Sequence, residues 1–351
     1  MLRQAHRRIY LFALAVLAAC SILVLSTPPL RAQATAATFL SFDAPGAGTA
    51  QNQGTFPLAI NRSGLIVGYF TDSSNVQHGF MRDPDGTFTI VDVPGSIVTR
   101  VTAVNSKGLV AGFSYSSKGI PAGFLRYLNG TLLTLNAVKG SSYTIPAAIN
   151  DIDQIAGNVW FSSNITRGFL WSPTQSFKIF SVPYGGSWVG VTALNSSGEI
   201  AGSYPGVIRQ TWLRGFVRDD AGNFSSFAAI DGALRTYPTA INASGQVTGW
   251  YVDAHYQGLP FLRDADGTIT LFTVGTGDSQ ATSINDLGVV VGTAYSATFE
   301  NAFKRDPAGN VTMLTLPFSN VGTAVGINLR GQIVGAYNDS TFVTHGWLMT
   351  P

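Results

Sequence analysis

Few residues in this chain have the types and spacing that catalysis requires. Among 351 residues, Glu199 and Glu300 are the only glutamates, and four residues are histidines. Hydrolysis by paired carboxylates requires two acids held at a fixed separation, and no spacing here nominates such a pair. Motifs for a nucleophilic serine, a phosphate loop and a His-Glu-x-x-His zinc site are also missing from the sequence. These observations favour a protein that is not an enzyme.

An enzyme nevertheless stays open as the alternative, because a repeat fold can gather residues from distant parts of the chain. That alternative is a propeller-type polysaccharide lyase or glycosidase. Its candidate catalytic residues lie in variable segments and would have to converge on one face of the fold. They are Arg209, Asp253, His255 and Glu300.

Two residue patterns resemble metal sites. The Asp-x-Asp-Gly segments at 83–86 and 264–267 offer the carboxylates that calcium prefers, but they lack the further ligands of an EF-hand. Asp-Gly is also common turn chemistry, so we interpret these segments as turns. His78 and His345 occupy equivalent positions and are interpreted as structural hydrogen-bonding residues. No metal and no cofactor are expected.

Seven copies of one phrase organise the chain. The phrase is Ala-Ile-Asn-x-x-Gly-x-Ile-x-Gly, and its asparagine recurs at spacings of 43 to 47 residues. A nearly constant period of this length indicates a repeat architecture. The anchoring asparagines are Asn61, Asn105, Asn150, Asn195, Asn242, Asn285 and Asn328.

Each copy predicts four short strands. In the first copy the first strand ends at Asn61, and a short turn leads into an apolar second strand at 65–69. A Gly-Phe-x-Arg third strand follows at 79–82, and Asp-x-Asp-Gly then turns into the fourth strand at 87–93. Four strands separated by turn residues in about 45 residues match one blade of a β-propeller.

The two ends of the repeat array complement each other. The seventh copy stops after Gly346-Trp347-Leu348 and lacks a fourth strand. Residues 38–46 match residues 87–95 of the first copy at five of nine positions, so an orphan fourth strand precedes that copy. Pairing the orphan strand with the last copy would close a ring and remove an exposed sheet edge. The sequence therefore predicts an all-β, seven-bladed β-propeller of four-stranded blades, closed by the N-terminal strand.

Residues 1–34 are predicted to be a signal peptide. Three arginines precede an apolar run, and Ala32-Gln33-Ala34 has the small-residue pattern of a cleavage site. Residues 35–351 would then form a single propeller domain, secreted or periplasmic, without a transmembrane segment in the mature protein. Leu17-Ala18-Ala19-Cys20 resembles a bacterial lipobox, which leaves lipid anchoring at Cys20 as the alternative.

The charge balance argues against nucleic acid as a partner. Four of the 21 basic residues lie in the predicted leader, so the remaining chain has 17 basic and 19 acidic residues. It contains no basic stripe that could follow a phosphate backbone. The mature protein is expected to be a monomer.

The repeat resembles a known family. Its phrases Thr-Ala-Ile-Asn-x-x-Gly-x-Ile-x-Gly-x-Tyr and His-Gly-Phe-x-Arg-Asp-x-x-Gly-x-Phe, the latter at 78–88, are similar to those of the extracellular HAF-repeat proteins of bacteria. The resemblance covers residues 38–349. It implies a secreted bacterial repeat protein, a propeller, with no established common activity. Some members carry a C-terminal sorting helix, whereas this chain ends at Met349-Thr350-Pro351.

The two faces of the predicted ring differ. First-to-second and third-to-fourth turns share one face and are short and uniform, whereas the other loops differ in every copy and concentrate aromatic residues. These variable loops include residues 139–145, 184–189, 204–214, 231–237 and 253–259. Binding residues tend to lie on loops held by a rigid scaffold. Exposed Trp and Tyr can stack on sugar rings or anchor a protein partner, although packing between blades is the alternative for each ring.

We therefore interpret the protein as a non-enzymatic recognition module that binds an extracellular glycan or a cell-envelope protein through the variable loops. A purely structural surface protein is a further alternative. The candidate ligand-binding residues are Tyr143, Trp160, Tyr184, Trp188, Trp212, Tyr237 and Tyr256.

Overall fold

The protein is built from β-strands. The computed structural model describes residues 37–135, 139–161, 164–183, 185–206, 212–296 and 300–351, which contain 28 strands and no helix. Residues 37–351 form one compact unit, and the predicted signal peptide lies outside the described residues. Within the described ranges, no helix has the length and apolar character needed to cross a membrane.

The strands fall into groups of four, which we number units 1 to 7; one copy of the repeat forms each of units 1 to 6, and the seventh copy together with the N-terminal strand forms unit 7. Units 1 and 2 comprise β2 (Gly54–Ile60), β3 (Ile66–Thr71), β4 (Gln77–Arg82), β5 (Phe88–Val91), β6 (Ser96–Val104), β7 (Val110–Ser116), β8 (Pro121–Arg126) and β9 (Leu132–Leu135). Units 3 and 4 comprise β10 (Ser141–Ile149), β11 (Ile155–Phe161), β12 (Ile165–Ser172), β13 (Gln175–Phe180), β14 (Gly190–Leu194), β15 (Ile200–Pro205), β16 (Leu213–Arg218) and β17 (Phe224–Phe227).

Units 5 and 6 comprise β18 (Arg235–Ile241), β19 (Val247–Val252), β20 (Gly258–Arg263), β21 (Ile269–Leu271), β22 (Ser279–Ile284), β23 (Val290–Tyr295), β24 (Glu300–Arg305) and β25 (Val311–Met313). Unit 7 comprises β26 (Thr323–Ile327), β27 (Ile333–Asn338), β28 (Thr344–Thr350) and the N-terminal strand β1 (Thr38–Phe42). Consecutive strands within each unit pair in antiparallel fashion.

Strand β1 is the fourth strand of unit 7. It pairs antiparallel with β28 from Thr38 opposite Thr350 to Phe42 opposite Gly346. The Phe42 ring packs where a Cβ on Gly346 would lie, only 2.5 Å from the ring, so glycine is required at this contact. The orphan strand therefore pairs with the last copy of the repeat, as the sequence predicts.

The hydrophobic core lies between neighbouring units, and a buried aromatic residue at the centre of each third strand packs there, as Phe169 of unit 3 does with Ala111 and Leu125 of unit 2. These aromatic residues occupy the phenylalanine position of the Gly-Phe-x-Arg phrase and are 0–2% exposed. Burying each ring contributes roughly 2–3 kcal/mol to stability relative to leaving it in water. They are Phe80, Phe124, Phe169, Phe216, Phe261, Phe303 and Trp347.

The anchoring asparagines join neighbouring units. Each donates its side-chain N–H to the backbone carbonyl of the next anchor, at 2.9–3.2 Å, and Asn328 donates to Asn61. Their side-chain oxygens accept backbone N–H groups of their own turns, as in Asn61 with Leu65. All seven are buried. The recurring asparagine therefore holds units together and is not free to bind a ligand.

Four of the five predicted variable loops are partly strand, since β15, β16 and β20 extend into residues 204–214 and 253–259. The expected loops 139–145 and 231–237 end early, because β10 begins at Ser141 and β18 at Arg235. Tyr143 and Tyr237 consequently lie in strands, opposite Trp160 and Trp250. Aromatic residues and threonine favour extended pairing, which lengthens these ladders beyond the repeat core.

Candidate functional site

The described turns separate two ends of the structure. First-to-second turns of all seven units lie together, because the asparagine hydrogen bonds link them, and antiparallel pairing places the third-to-fourth turns at the same end. We call this the uniform-turn end. The second-to-third and fourth-to-first loops lie at the opposite end, which we call the variable-loop end.

The uniform-turn end has a cavity that is lined by both polar and aliphatic residues. It has a volume of about 300 Å³ and lies where the seven asparagine turns meet. The asparagine side-chain amides donate to the backbone carbonyls of neighbouring anchors, and Arg62, Asp151 and Asp286 also line the cavity. Aliphatic residues one position before each anchor line the wall as well. These residues are Ile60, Val104, Ile149, Leu194, Ile241, Ile284 and Ile327.

Stacked aromatic pairs mark the variable-loop end of three units. Tyr143 stacks on Trp160 with centroids 4.8 Å apart and planes inclined by 23°. Tyr237 stacks on Trp250 at 4.3 Å and 26°. All four rings are half-buried. The structure therefore brings two predicted residues together in unit 3 and pairs a third with an unpredicted tryptophan in unit 5.

The third pair lies in unit 1, and an arginine of unit 2 extends this stack of side chains across the boundary between the two units. Phe56 stacks on Tyr69 at 4.7 Å with nearly parallel planes, and the guanidinium of Arg100 lies 4.2 Å from the Tyr69 centroid. Arg100 donates its Nε–H to Gln77 at 2.7 Å. Burial raises the pKa of the Tyr69 hydroxyl, and Arg100 opposes that shift. Phe113 lies beneath the same guanidinium at 5.9 Å.

A pocket of about 220 Å³ adjoins this stack of side chains. Phe56 forms one wall, and Glu300, Thr323, Tyr337 and Asn338 are among its other lining residues. The pocket therefore lies between units 6, 7 and 1, and its lining combines an aromatic wall with a carboxylate and a side-chain amide. Such a combination of apolar surface and few polar groups suits a small ligand or one residue of a larger ligand.

The candidate catalytic residues do not form one constellation in the described ranges. Asp253 and His255 share the loop between β19 and β20, with Oδ2 and Nδ1 3.5 Å apart. Asp253 also accepts the backbone N–H groups of His255 and Gln257, and the backbone bond from Gln257 is the largest cause that lowers its pKa. Glu300 lines the pocket described above, and Arg209 lies outside the described residues.

The remaining ligand-binding candidates differ in exposure. Tyr256 is 80% exposed at a loop tip, whereas Trp188 is half-buried and its ring packs against Gly190. Trp212 is half-buried, and its backbone carbonyl accepts an N–H from Gly206 at 2.8 Å. Tyr184 lies outside the described residues.

His78 and His345 each bridge two aspartates. His345 Nδ1 lies 3.0 Å from Asp43, directly after β1, and its Nε2 lies 3.5 Å from Asp339. His78 makes the equivalent contacts in unit 1 with Asp92 and Asp72. Both histidines therefore have the structural hydrogen-bonding environment expected of them.

The Asp-x-Asp-Gly segments form turns. Gly86 donates its N–H to the Asp83 carbonyl, and the Asp85 carboxylate accepts the N–H of Thr87. That backbone bond is the largest cause that lowers the Asp85 pKa. Across the described residues, no cluster of three or more His, Cys, Asp or Glu side chains is placed to hold a metal ion.

Sequence reasoning missed Phe56, Tyr69, Arg100, Phe113 and Trp250. They occupy two positions of the repeat, five residues before the anchor and eight residues after it, which face each other in register. Aligning the seven copies on their asparagines would have identified these two positions, because their residue types vary between copies. Aromatic or charged residues occupy them in some units and not in others.

Comparisons with solved structures show the class of fold. A β-propeller domain of the Trilobed protease from Pyrococcus furiosus has 12% identity and a TM-score of 0.60, covering 84% of this chain and 95% of that one. Virginiamycin B lyase from Staphylococcus aureus has 13% identity and a TM-score of 0.60, covering 90% and 100%. The protein is therefore of the β-propeller type.

A weaker likeness links the chain to TolB from Acinetobacter baumannii, at 16% identity and a TM-score of 0.53. It covers 72% of this chain and 63% of TolB. Identities this low show the fold alone. No family model and no curated protein sequence matches the chain.

Proposed function

We propose that the protein is an exported, closed seven-bladed β-propeller that binds an extracellular glycan through its variable-loop end, without catalysis. The β1–β28 pairing and the asparagine bond from unit 7 to unit 1 support the closed ring. The N-terminal leader pattern and the HAF-repeat resemblance support export. The same leader leaves lipid anchoring at Cys20 as its alternative.

The main support for glycan binding is the set of aromatic pairs at the variable-loop end. Three units present half-buried aromatic stacks there, and Arg100 extends one stack across a unit boundary. Flat rings with hydrogen-bonding groups beside them suit the alternating C–H and hydroxyl surfaces of sugars. At the uniform-turn end, by contrast, the side-chain amides of the anchoring asparagines already donate to the backbone carbonyls of their neighbours.

The separation of the acidic groups favours binding over hydrolysis. The Asp253 carboxylate accepts a backbone N–H of its own turn, and the His255 side chain is 91% exposed. Glu300 lies in a separate pocket that residues of units 7 and 1 also line. A glycosidase would need two carboxyls on opposite sides of one bond.

The proposal is tested by screening residues 35–351 against soluble β-glucan, xylan, chitin oligosaccharides and peptidoglycan fragments, with product analysis of every hit. We expect saturable binding without product, weakened about tenfold or more by Trp250→Ala. Trp171→Ala is the matched control, since Trp171 is half-buried at the end of β12 that leads into a uniform turn. Product release would instead support the propeller enzyme, and binding to none of these ligands would contradict the proposal.

A further inference from the structure

One turn geometry recurs sixteen times in the described residues. In each turn the fourth residue donates its N–H to the carbonyl of the first, and the first donates to the carbonyl of the fifth. The fourth residue has a positive φ, between 62° and 98°. L-residues with a side chain strain in this left-handed region, and glycine, asparagine and aspartate tolerate it best.

Fourteen of these turns follow that preference. Twelve carry glycine at the fourth position, and Asn75 and Asp153 occupy two more. The two exceptions are Tyr256, at φ 66°, and Phe342, at φ 62°. A bulky residue in this conformation is an outlier that persists at a cost to stability.

Tyr256 and Phe342 hold the same position in their units, fourteen residues after the anchor, at tips of the variable-loop end. In units 1 and 2 the same position is Asn75 and Gly119. Packing does not explain the aromatic residues, because Tyr256 is 80% exposed and Phe342 is 60% exposed. Neither folding nor the turn therefore benefits from these rings.

We propose that Tyr256 and Phe342 are direct saccharide contacts, kept in a strained backbone because their rings stack on the bound sugar. The inference rests on the function proposed above and identifies its most exposed contact residues. Each ring shares its turn with polar residues, namely Asp253 and His255 for Tyr256, and Asp339 and Thr341 for Phe342. A saccharide uses this combination, with C–H groups against the ring and hydroxyls bonded to the flanking side chains.

The test exploits the opposite effects expected on stability and on binding. Tyr256→Asn and Phe342→Asn install the residue that unit 1 uses at this position. Relief of strain should raise the Tm by about 1–3 °C for each change. Loss of the rings should raise the Kd of the double variant at least tenfold for the tightest-binding saccharide of the panel. Tyr256→Phe keeps the ring and should bind as the wild type does.

Leu287→Asn is the matched control, since Leu287 is an apolar side chain, 61% exposed, in a uniform turn. It should leave the Kd unchanged. If the wild type binds saccharide and the double variant binds equally well, this inference is wrong while the proposed function stands. If no saccharide in the panel binds the wild type, both fail. A fall in Tm for both asparagine variants would also overturn the inference, because it would show that the rings stabilise the fold.

Discussion

Asn328 donates its side-chain N–H to the carbonyl oxygen of Asn61 at 3.0 Å, although 267 residues separate the two. This bond repeats, between the last unit and the first, the contact that joins every other neighbouring pair. The β1–β28 ladder joins the same two ends of the chain at the outer edge. Two independent contacts therefore hold the first and last copies together.

The asparagine contact predicts a measurable loss of stability. Asn328→Ala should destabilise the fold by about 1–3 kcal/mol, because it removes a buried donor and leaves the Asn61 carbonyl without it. Chemical denaturation followed by tryptophan fluorescence measures this change. Asn320→Ala, in an exposed loop, is the control and should change stability by less than about 0.5 kcal/mol. Equal effects of the two substitutions would contradict the structural role of Asn328.

Removing the N-terminal strand should be more damaging. A chain that begins at residue 47 loses β1 and the buried Phe42, and it exposes the edge of β28. We expect a loss larger than the roughly 3–5 kcal/mol typical of deleting one buried phenylalanine. A synthetic peptide of residues 38–46 added in trans should restore part of the Tm. An unchanged Tm without the strand would show that closure by β1 is not required.

Asp339 predicts a dependence of stability on pH. The backbone N–H of Val343 and the Thr341 hydroxyl lower the pKa of this carboxyl to about 2. Because this value lies below that of an unfolded aspartate, about 3.9, its ionised form stabilises the fold above pH 4, and that contribution is lost as pH falls towards 2. The Tm of Asp339→Asn, which mimics the protonated form, should lie below that of the wild type at pH 6 and approach it near pH 2. A difference that stays constant with pH would rule out this contribution.

The sequence predicted the repeat more fully than the site. The period of Asn61 and its equivalents, and the match of residues 38–46 to 87–95, predicted the strand groups and the β1 pairing, since both follow from local patterns. The Phe56–Tyr69 stack was not predicted, because it depends on which residues of two strands face each other. The positive φ of Tyr256 was not predictable either, since its residue type argues against that conformation.

The central claim is that ligand binds at the variable-loop end, and blocking each end in turn tests it directly. Ala254 and Ala265 are exposed and occupy matching positions in two turns of unit 5 that lie at opposite ends. Residues 35–351 contain no cysteine, so Ala254→Cys and Ala265→Cys each provide a single site for coupling a maleimide-polyethylene glycol chain. We predict that coupling at residue 254 abolishes binding to the best saccharide of the panel and that coupling at residue 265 does not. Loss of binding only with the chain at residue 265 would contradict the account.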